Sequence, residues 1–267
     1  MRIVQTGIAA AAKTDGRVGN GLVAIEQWEA DKLTDVRLYN HDIYQLAAGT
    51  LEPVAAIGDM IIVSNYFPVK ARDLVVVAFG DRRIARRMNE ADTHPNVFVL
   101  TGQSVDPTVT PQPVIVPREA GKFRKIVGTI FSFSGGVCPQ PENNDEIVVI
   151  DDAASYKTLL SDSKLFKVKG RSAEPVALDG QFLVTRDMVT NEGGMRRLDG
   201  HLVVATDESG ATYFKRLRLA RGSAIILESL NPDGTSPAEL LSLDGENGAP
   251  RLVSLIPVVG ILFELPQ

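Results

Sequence analysis

Tyr44–Asp59 (YQLAAGTLEPVAAIGD) lies over Phe166–Gln181 (FKVKGRSAEPVALDGQ) without a gap. Glu52-Pro53 then falls on Glu174-Pro175, Gly58 on Gly180 and Thr50 on Ser172. Three further stretches correspond in the same order: DLVVVAFGDRRIARRM with GHLVVATDESGATYFKRL, FVLTGQSVDP with IILESLNP, and KIVGTIFSF with PVVGILFEL. Arg86 falls on Lys215. Self-similarity of this extent means one folding pattern used twice. The chain therefore reads as a tandem duplication whose copies differ by loop insertions, the largest at Asn191-Glu192-Gly193-Gly194. The expected divisions are 1–35, an N-terminal extension; 36–133, the first copy; 134–146, a linker; and 147–267, the second copy.

Within each copy the apolar runs are short, rich in β-branched residues and separated by Gly, Pro, Asp and Asn, a pattern that predicts strands. Examples are 61–63, 74–79, 97–100, 113–116 and 126–131, followed by LFKV, FLVT, LVVA, AIIL and VVGILF. Only Gly21–Leu33 and Asp152–Leu160 read as helical, so the expected fold class is mainly β. Gly, Pro, Asn and acidic residues break every apolar period between Ser134 and Glu146, as in an interdomain linker.

Composition narrows the function classes. The formal net charge of −5 argues against a surface coated for nucleic acid. Arg82, Arg83, Arg86 and Arg87 read as a solvated edge strand rather than a nucleic-acid strip. One cysteine, Cys138, cannot form an intrachain disulfide, and the dispersed His41, His94 and His201 lack ligand spacing, so neither structural zinc nor any cofactor is expected. No apolar run approaches the roughly 18 to 20 residues of a membrane helix, and MRIVQTGIAAAAK is a poor signal peptide. The expected compartment is the cytoplasm, with no membrane partner.

The candidate chemistry lies in the second copy. Ser172 sits in a Gly-Arg-Ser-Ala-Glu-Pro turn and Lys215 in Tyr-Phe-Lys-Arg-Leu. A serine hydroxyl attacks a carbonyl once a base removes its proton, and a lysine amine does so when desolvation lowers its pKa from about 10.4. Strand alternation predicts Tyr213, Lys215 and Leu217 on one face and Phe214, Arg216 and Arg218 on the other, giving Lys215 apolar neighbours. Alone, Ser172 would read as a turn serine and Lys215 as an edge-strand charge. Their pairing favours a dyad.

GRSAEPVALDGQFLV, LDGHLVVA, TYFKRL, LESLNPDGTSP and VVGILFEL, in that order, resemble the LexA-type serine peptidases, the family of the LexA, UmuD and phage-repressor C-terminal domains. The resemblance covers 165–265 well and 36–133 as a degenerate copy. It implies a catalytic Ser172 nucleophile with Lys215 as general base, self-cleavage at an Ala-Gly or Cys-Gly bond, and dimer formation. Ala173 and Arg171 depart from the family's Met and Asp beside the serine, which bears on substrate fit.

In the first copy Thr50 and Arg86 occupy the dyad positions. A guanidinium keeps its proton and cannot act as a base, so this copy is expected to be inactive. The two copies are then expected to pack as an intramolecular imitation of the family's homodimer, their terminal strands 126–133 and 258–265 meeting about a pseudo-two-fold axis. No Ala-Gly or Cys-Gly pair occurs in Ser134–Asp145; Ala48-Gly49 and Ala120-Gly121 lie inside the first copy. The expected substrate is the chain itself, with room for an inducer protein and a homo-oligomer, and with DNA contacted only through a segment outside this chain. Two rival readings are a non-catalytic dimerisation or sensing module of a transcription regulator, and a membrane-bound signal peptidase, disfavoured by the missing membrane segment.

Overall fold

β-Branched runs pair because their side chains fit a pleated, buried surface, and such strands are the main regular element of the computed structural model. It describes residues 22–24, 41–92, 94–132, 141, 145–150, 163–171, 173–220, 222–231, 236–245 and 248–264. Two compact units divide the chain, the first within 31–161 and 260–267, the second within 1–30 and 162–259. Among the described residues, no helix is long and apolar enough to cross a membrane.

β1 (Leu22–Ala24) belongs to the second unit. The first unit holds β2 (His41–Leu46), β3 (Met60–Ser64), β4 (Leu74–Phe79), β5 (Arg82–Glu90), β6 (Val97–Thr101), β7 (Val114–Pro117), β8 (Arg124–Ile130) and β9 (Ile147–Val149). They pair antiparallel in the order β9-β2-β3-β8-β4-β5-β6-β7. β4 is apolar without alternation because both its faces are covered. Val75 and Val77 join Ile84, Met88, Leu100 and Val116 in one core, while Val76 joins Leu46, Ile61, Val63, Ala85 and Ile126 in another. Ile147 completes the second core with no exposed surface. The sequence reading starts the second domain at residue 147; the structure instead seats Ile147–Val149 on β2.

The second unit holds β10 (Lys164–Val168), β11 (Phe182–Thr185), the short helix α1 (Glu192–Arg197), β12 (Leu202–Asp207), β13 (Thr212–Leu219), β14 (Ala224–Glu228), β15 (Glu239–Ser242) and β16 (Leu252–Leu262). Its pairings run β1-β10-β11-β16-β12-β13-β14-β15. The core gathers Val203, Ala205, Leu217, Ile225, Leu227, Leu241 and Leu255. Asn191 caps α1, its side chain accepting from the Gly194 amide at 2.7 Å. Each unit also has its Glu-Pro peptide, Glu52-Pro53 or Glu174-Pro175, in cis.

Three local readings change. Leu22–Ala24, expected in a helix, is a strand paired with β10, because an open sheet edge satisfies the backbone of a short apolar stretch as well as a helix does. The rest of that expected helix and all of 152–160 lie outside the described residues. β5 is not an edge strand: β4 and β6 flank it, and Arg86 is buried. The largest expected loop insertion contains α1.

Gly260–Leu262 at the end of β16 belong to the first unit and pair antiparallel with Gly128–Ile130 of β8. A Cβ on Gly128 would stand 2.8 Å from the Ile261 carbonyl oxygen, and one on Gly260 would collide with the Thr129 carbonyl. Both obstacles are backbone and cannot swing aside. Gly260→Val is expected to destabilise the chain by about 1–3 kcal/mol, read as a lower melting temperature, whereas Val253→Thr, at a position 61% exposed, leaves it unchanged.

Candidate functional site

β13 presents Lys215 opposite Val203, in the interior of its sheet, on the face it shares with Leu217. Only 5% of Lys215 is exposed. Its ammonium is used without a carboxylate partner among the described residues: Nζ donates to Ser236 Oγ at 3.1 Å and to the Pro237 carbonyl. Burial pulls the amine below the ordinary lysine range, and the nearby charge of Glu239 offsets only part of that. The expected faces hold for Lys215 and Leu217. Phe214 is buried on the opposite face, Arg216 is half-buried with Nη1 donating to the Gly200 carbonyl at 2.9 Å, and Arg218 is exposed beside Glu228.

Lys125 in the first unit shows why the partner matters. It too is buried, which acts to lower its pKa, but hydrogen bonds and charges from Glu264 and Asp73 outweigh burial and raise it. Among the described residues Lys215 has two uncharged acceptors instead. A neutral amine has two N–H bonds and one lone pair, so Ser236 and Pro237 can take both protons and leave the lone pair to receive a third.

Ser172 lies outside the described residues; its neighbours do not. The Arg171 carbonyl accepts from Asn231 Nδ2 at 2.9 Å, and Ala173 is buried. Asn231 thus anchors the backbone at Arg171. Neither Asn231 nor Ser236 emerges from the sequence reading as a site residue, although both flank the Pro-Asp-Gly-Thr stretch of LESLNPDGTSP, where the local pattern reads as a turn.

The first unit also buries a cation on a strand, with different chemistry around it. Val75 faces Arg86 as Val203 faces Lys215. Arg86 Nε and Nη2 clasp the Glu146 carboxylate at 2.9 and 2.6 Å, and Nη1 donates to the Gln112 carbonyl. The Ala85 amide gives Glu146 a further hydrogen bond at 3.0 Å, and Thr50 Oγ1 donates to the Ala85 carbonyl at 2.9 Å. Thr50 Oγ1 and the Arg86 guanidinium are both engaged, and a guanidinium keeps its proton. Thr50, Arg86 and Glu146 line a cleft of about 600 Å³ whose rim carries the exposed Ile57, Val105 and Val109. Glu146, read from sequence as the end of a linker, is 3% exposed. The four-arginine nucleic-acid strip is thereby dismantled, since Arg86 is inside.

Ser236 acts as a positioning residue for the amine. Ser236→Ala removes one of its two acceptors, an interaction worth about 0.5–1.5 kcal/mol, and is expected to slow any Lys215-dependent reaction about tenfold. Ser236→Thr, which keeps the hydroxyl, restores it.

Among the described residues no group of three His, Cys, Asp or Glu side chains is placed to hold a metal. No family profile matches the chain. No curated protein and no solved structure matches it either.

Proposed function

We propose that the second unit is a LexA-like serine peptidase, the self-cleaving regulatory region of a transcriptional repressor, with Ser172 as nucleophile and Lys215 as general base. The observation that carries this reading is the buried Lys215 amine, held by two neutral oxygens and lowered in pKa by desolvation. Structural lysines are buried with carboxylates, as Lys125 is. An amine kept short of a counterion is poised to take a proton.

In the reaction, Lys215 Nζ accepts the Ser172 hydroxyl proton as Oγ bonds to the scissile carbonyl carbon. The resulting oxyanion is met by backbone amides near the serine. Collapse breaks the C–N bond, and the ammonium returns its proton to the departing amine. Water then attacks the acyl-enzyme with Lys215 again as base, releasing the new carboxylate and regenerating the hydroxyl.

Tandem duplication and the intramolecular imitation of a homodimer belong to the same proposal. Support comes from register: Gln45 faces Met60 as Lys167 faces Phe182, and Arg87 faces Thr101 as Arg216 faces Glu228. Met88 faces Leu100 as Leu217 faces Leu227.

The test is incubation of the pure chain from pH 7 to 10 with mass spectrometry of the products. Fragments that accumulate faster as pH rises and vanish in Ser172→Ala are expected. An intact chain at every pH would assign the molecule to the non-catalytic sensing class.

A further inference from the structure

The cleft beside Thr50 and Arg86 lies wholly within the first unit, and its walls are loops that hold their own shape. The Gln103 amide donates to the Thr50 carbonyl at 2.9 Å and ties one loop to the other. Glu52 Oε2 accepts from Ser104 Oγ and from the Val105 amide, both at 2.8 Å. Asp106 Oδ1 accepts from the Thr108 amide at 2.8 Å and from its hydroxyl at 2.6 Å. Asp145 Oδ1 accepts from the Arg83 amide at 2.6 Å and so fastens the 145–146 stretch to β5. A surface braced in this way is formed before any ligand arrives.

Two kinds of surface are left over in it. Among the described residues of the first unit, six large apolar side chains are half or more exposed, and three of them, Ile57, Val105 and Val109, stand together at this rim. Single exposed aliphatics are ordinary, but a cluster of them on braced loops marks a contact surface. The carboxylates of Glu52, Asp106 and Asp145 each spend one oxygen on the loops. Their second oxygens accept no hydrogen bond among the described residues. Arg86 and Glu146 neutralise each other, and Arg82 is the other cation of the lining, so the cleft carries two negative charges in excess. A small molecule lodged against Thr50 would leave the aliphatic rim in water. A chain lying across the mouth covers that rim and brings a cation to the acids.

We infer that this cleft is a docking site for an extended segment of a partner protein, one that carries aliphatic side chains next to lysine or arginine. The aliphatic side chains bury the rim of Ile57, Val105 and Val109, and the cation meets Glu52, Asp106 and Asp145. Its volume of about 600 Å³ suits such a segment, since ligand clefts span roughly 300–1,000 Å³. The site uses no residue of the second unit and stands whether or not that unit is a peptidase.

The probe is the dye-labelled peptide Gly-Leu-Arg-Val-Leu-Lys-Gly, titrated with the full chain and followed by fluorescence anisotropy. Two relatives serve as comparisons, one with glutamate in place of both basic residues and one with serine in place of the three aliphatic ones. The full chain is expected to bind the first peptide at least about tenfold more tightly than either relative. Val105→Ser combined with Val109→Ser, both at exposed positions, keeps the parent melting temperature and weakens binding about tenfold. Glu52→Gln retains a side-chain carbonyl to accept from Ser104 and the Val105 amide, yet weakens binding about threefold and lessens its dependence on salt. No binding at about 1 mM chain overturns the inference. So does an affinity shared by the glutamate peptide, or one that both cleft variants leave unchanged. Self-association of the parent chain in sedimentation velocity, lost in the Val105 and Val109 double variant, would assign the rim to a second copy and overturn it as well.

Discussion

Lys215→Met is expected to abolish the proposed cleavage and, at the same time, to flatten the rise in stability expected of the parent chain between neutral and alkaline pH. The first effect follows because methionine offers no lone pair of comparable basicity and the serine hydroxyl then keeps its proton. The second is a linkage effect. Burial lowers the Lys215 pKa in the folded chain below its unfolded value of about 10.5, so the folded state binds that proton less tightly than the unfolded state does. Stability from this group is fully present above the unfolded pKa and is lost as pH falls through the lowered folded value. Denaturant titrations at pH 7 and pH 10 measure it: the parent gains on the variant as pH rises. Parallel curves for parent and variant would mean an amine with ordinary proton affinity, unfit for general base work at neutral pH.

Glu146→Ala is expected to cost the first unit about 3–5 kcal/mol, the range for removing one member of a buried ion pair. Glu146 and Arg86 have side-chain exposures of 4% and 7%. Truncation strands a permanent guanidinium charge in the interior and also orphans the Ala85 amide, which donates to the same carboxylate. The double replacement Arg86→Met with Glu146→Leu removes both charges and recovers most of the loss, because paired buried charges add little net stability over well-packed apolar groups. Chemical denaturation of the parent, Arg86→Met, Glu146→Leu and the double variant gives the coupling. A small loss in Glu146→Ala alone would show that water reaches Arg86.

Local chemistry made most strands legible. Leu74–Phe79 and Val97–Thr101 stand close to where their β-branched runs predict them, and so do the strands at 60–64, 114–117 and 124–130. What could not be read locally is what depends on a distant partner. Leu22–Ala24 has the composition of either a helix or a strand, and the free edge of β10 decides. Asp145 and Glu146 look like linker acids until Arg83 and Arg86, some sixty residues earlier, supply their donors. The site divides in the same way. The TYFKRL alternation was sufficient to predict a buried Lys215, because period-two patterning reports burial directly. That its two acceptors are Ser236 and Pro237 depends on how the segment before β15 returns to β13, which no local pattern encodes.

The carbonyls of Gln112 and Pro237 accept from Arg86 and Lys215 respectively, so each buried cation meets a backbone acceptor. The difference lies in Glu146. Exchanging Arg86 for lysine alone would leave an ammonium clamped by that carboxylate, its proton affinity raised as that of Lys125 is. An amine of lowered proton affinity at position 86 therefore takes two coupled changes, with the loss of the acid accompanying the exchange of the cation. Loss of the acid first strands the guanidinium and exchange of the cation first leaves an ion pair, so neither single step by itself yields a buried amine like Lys215.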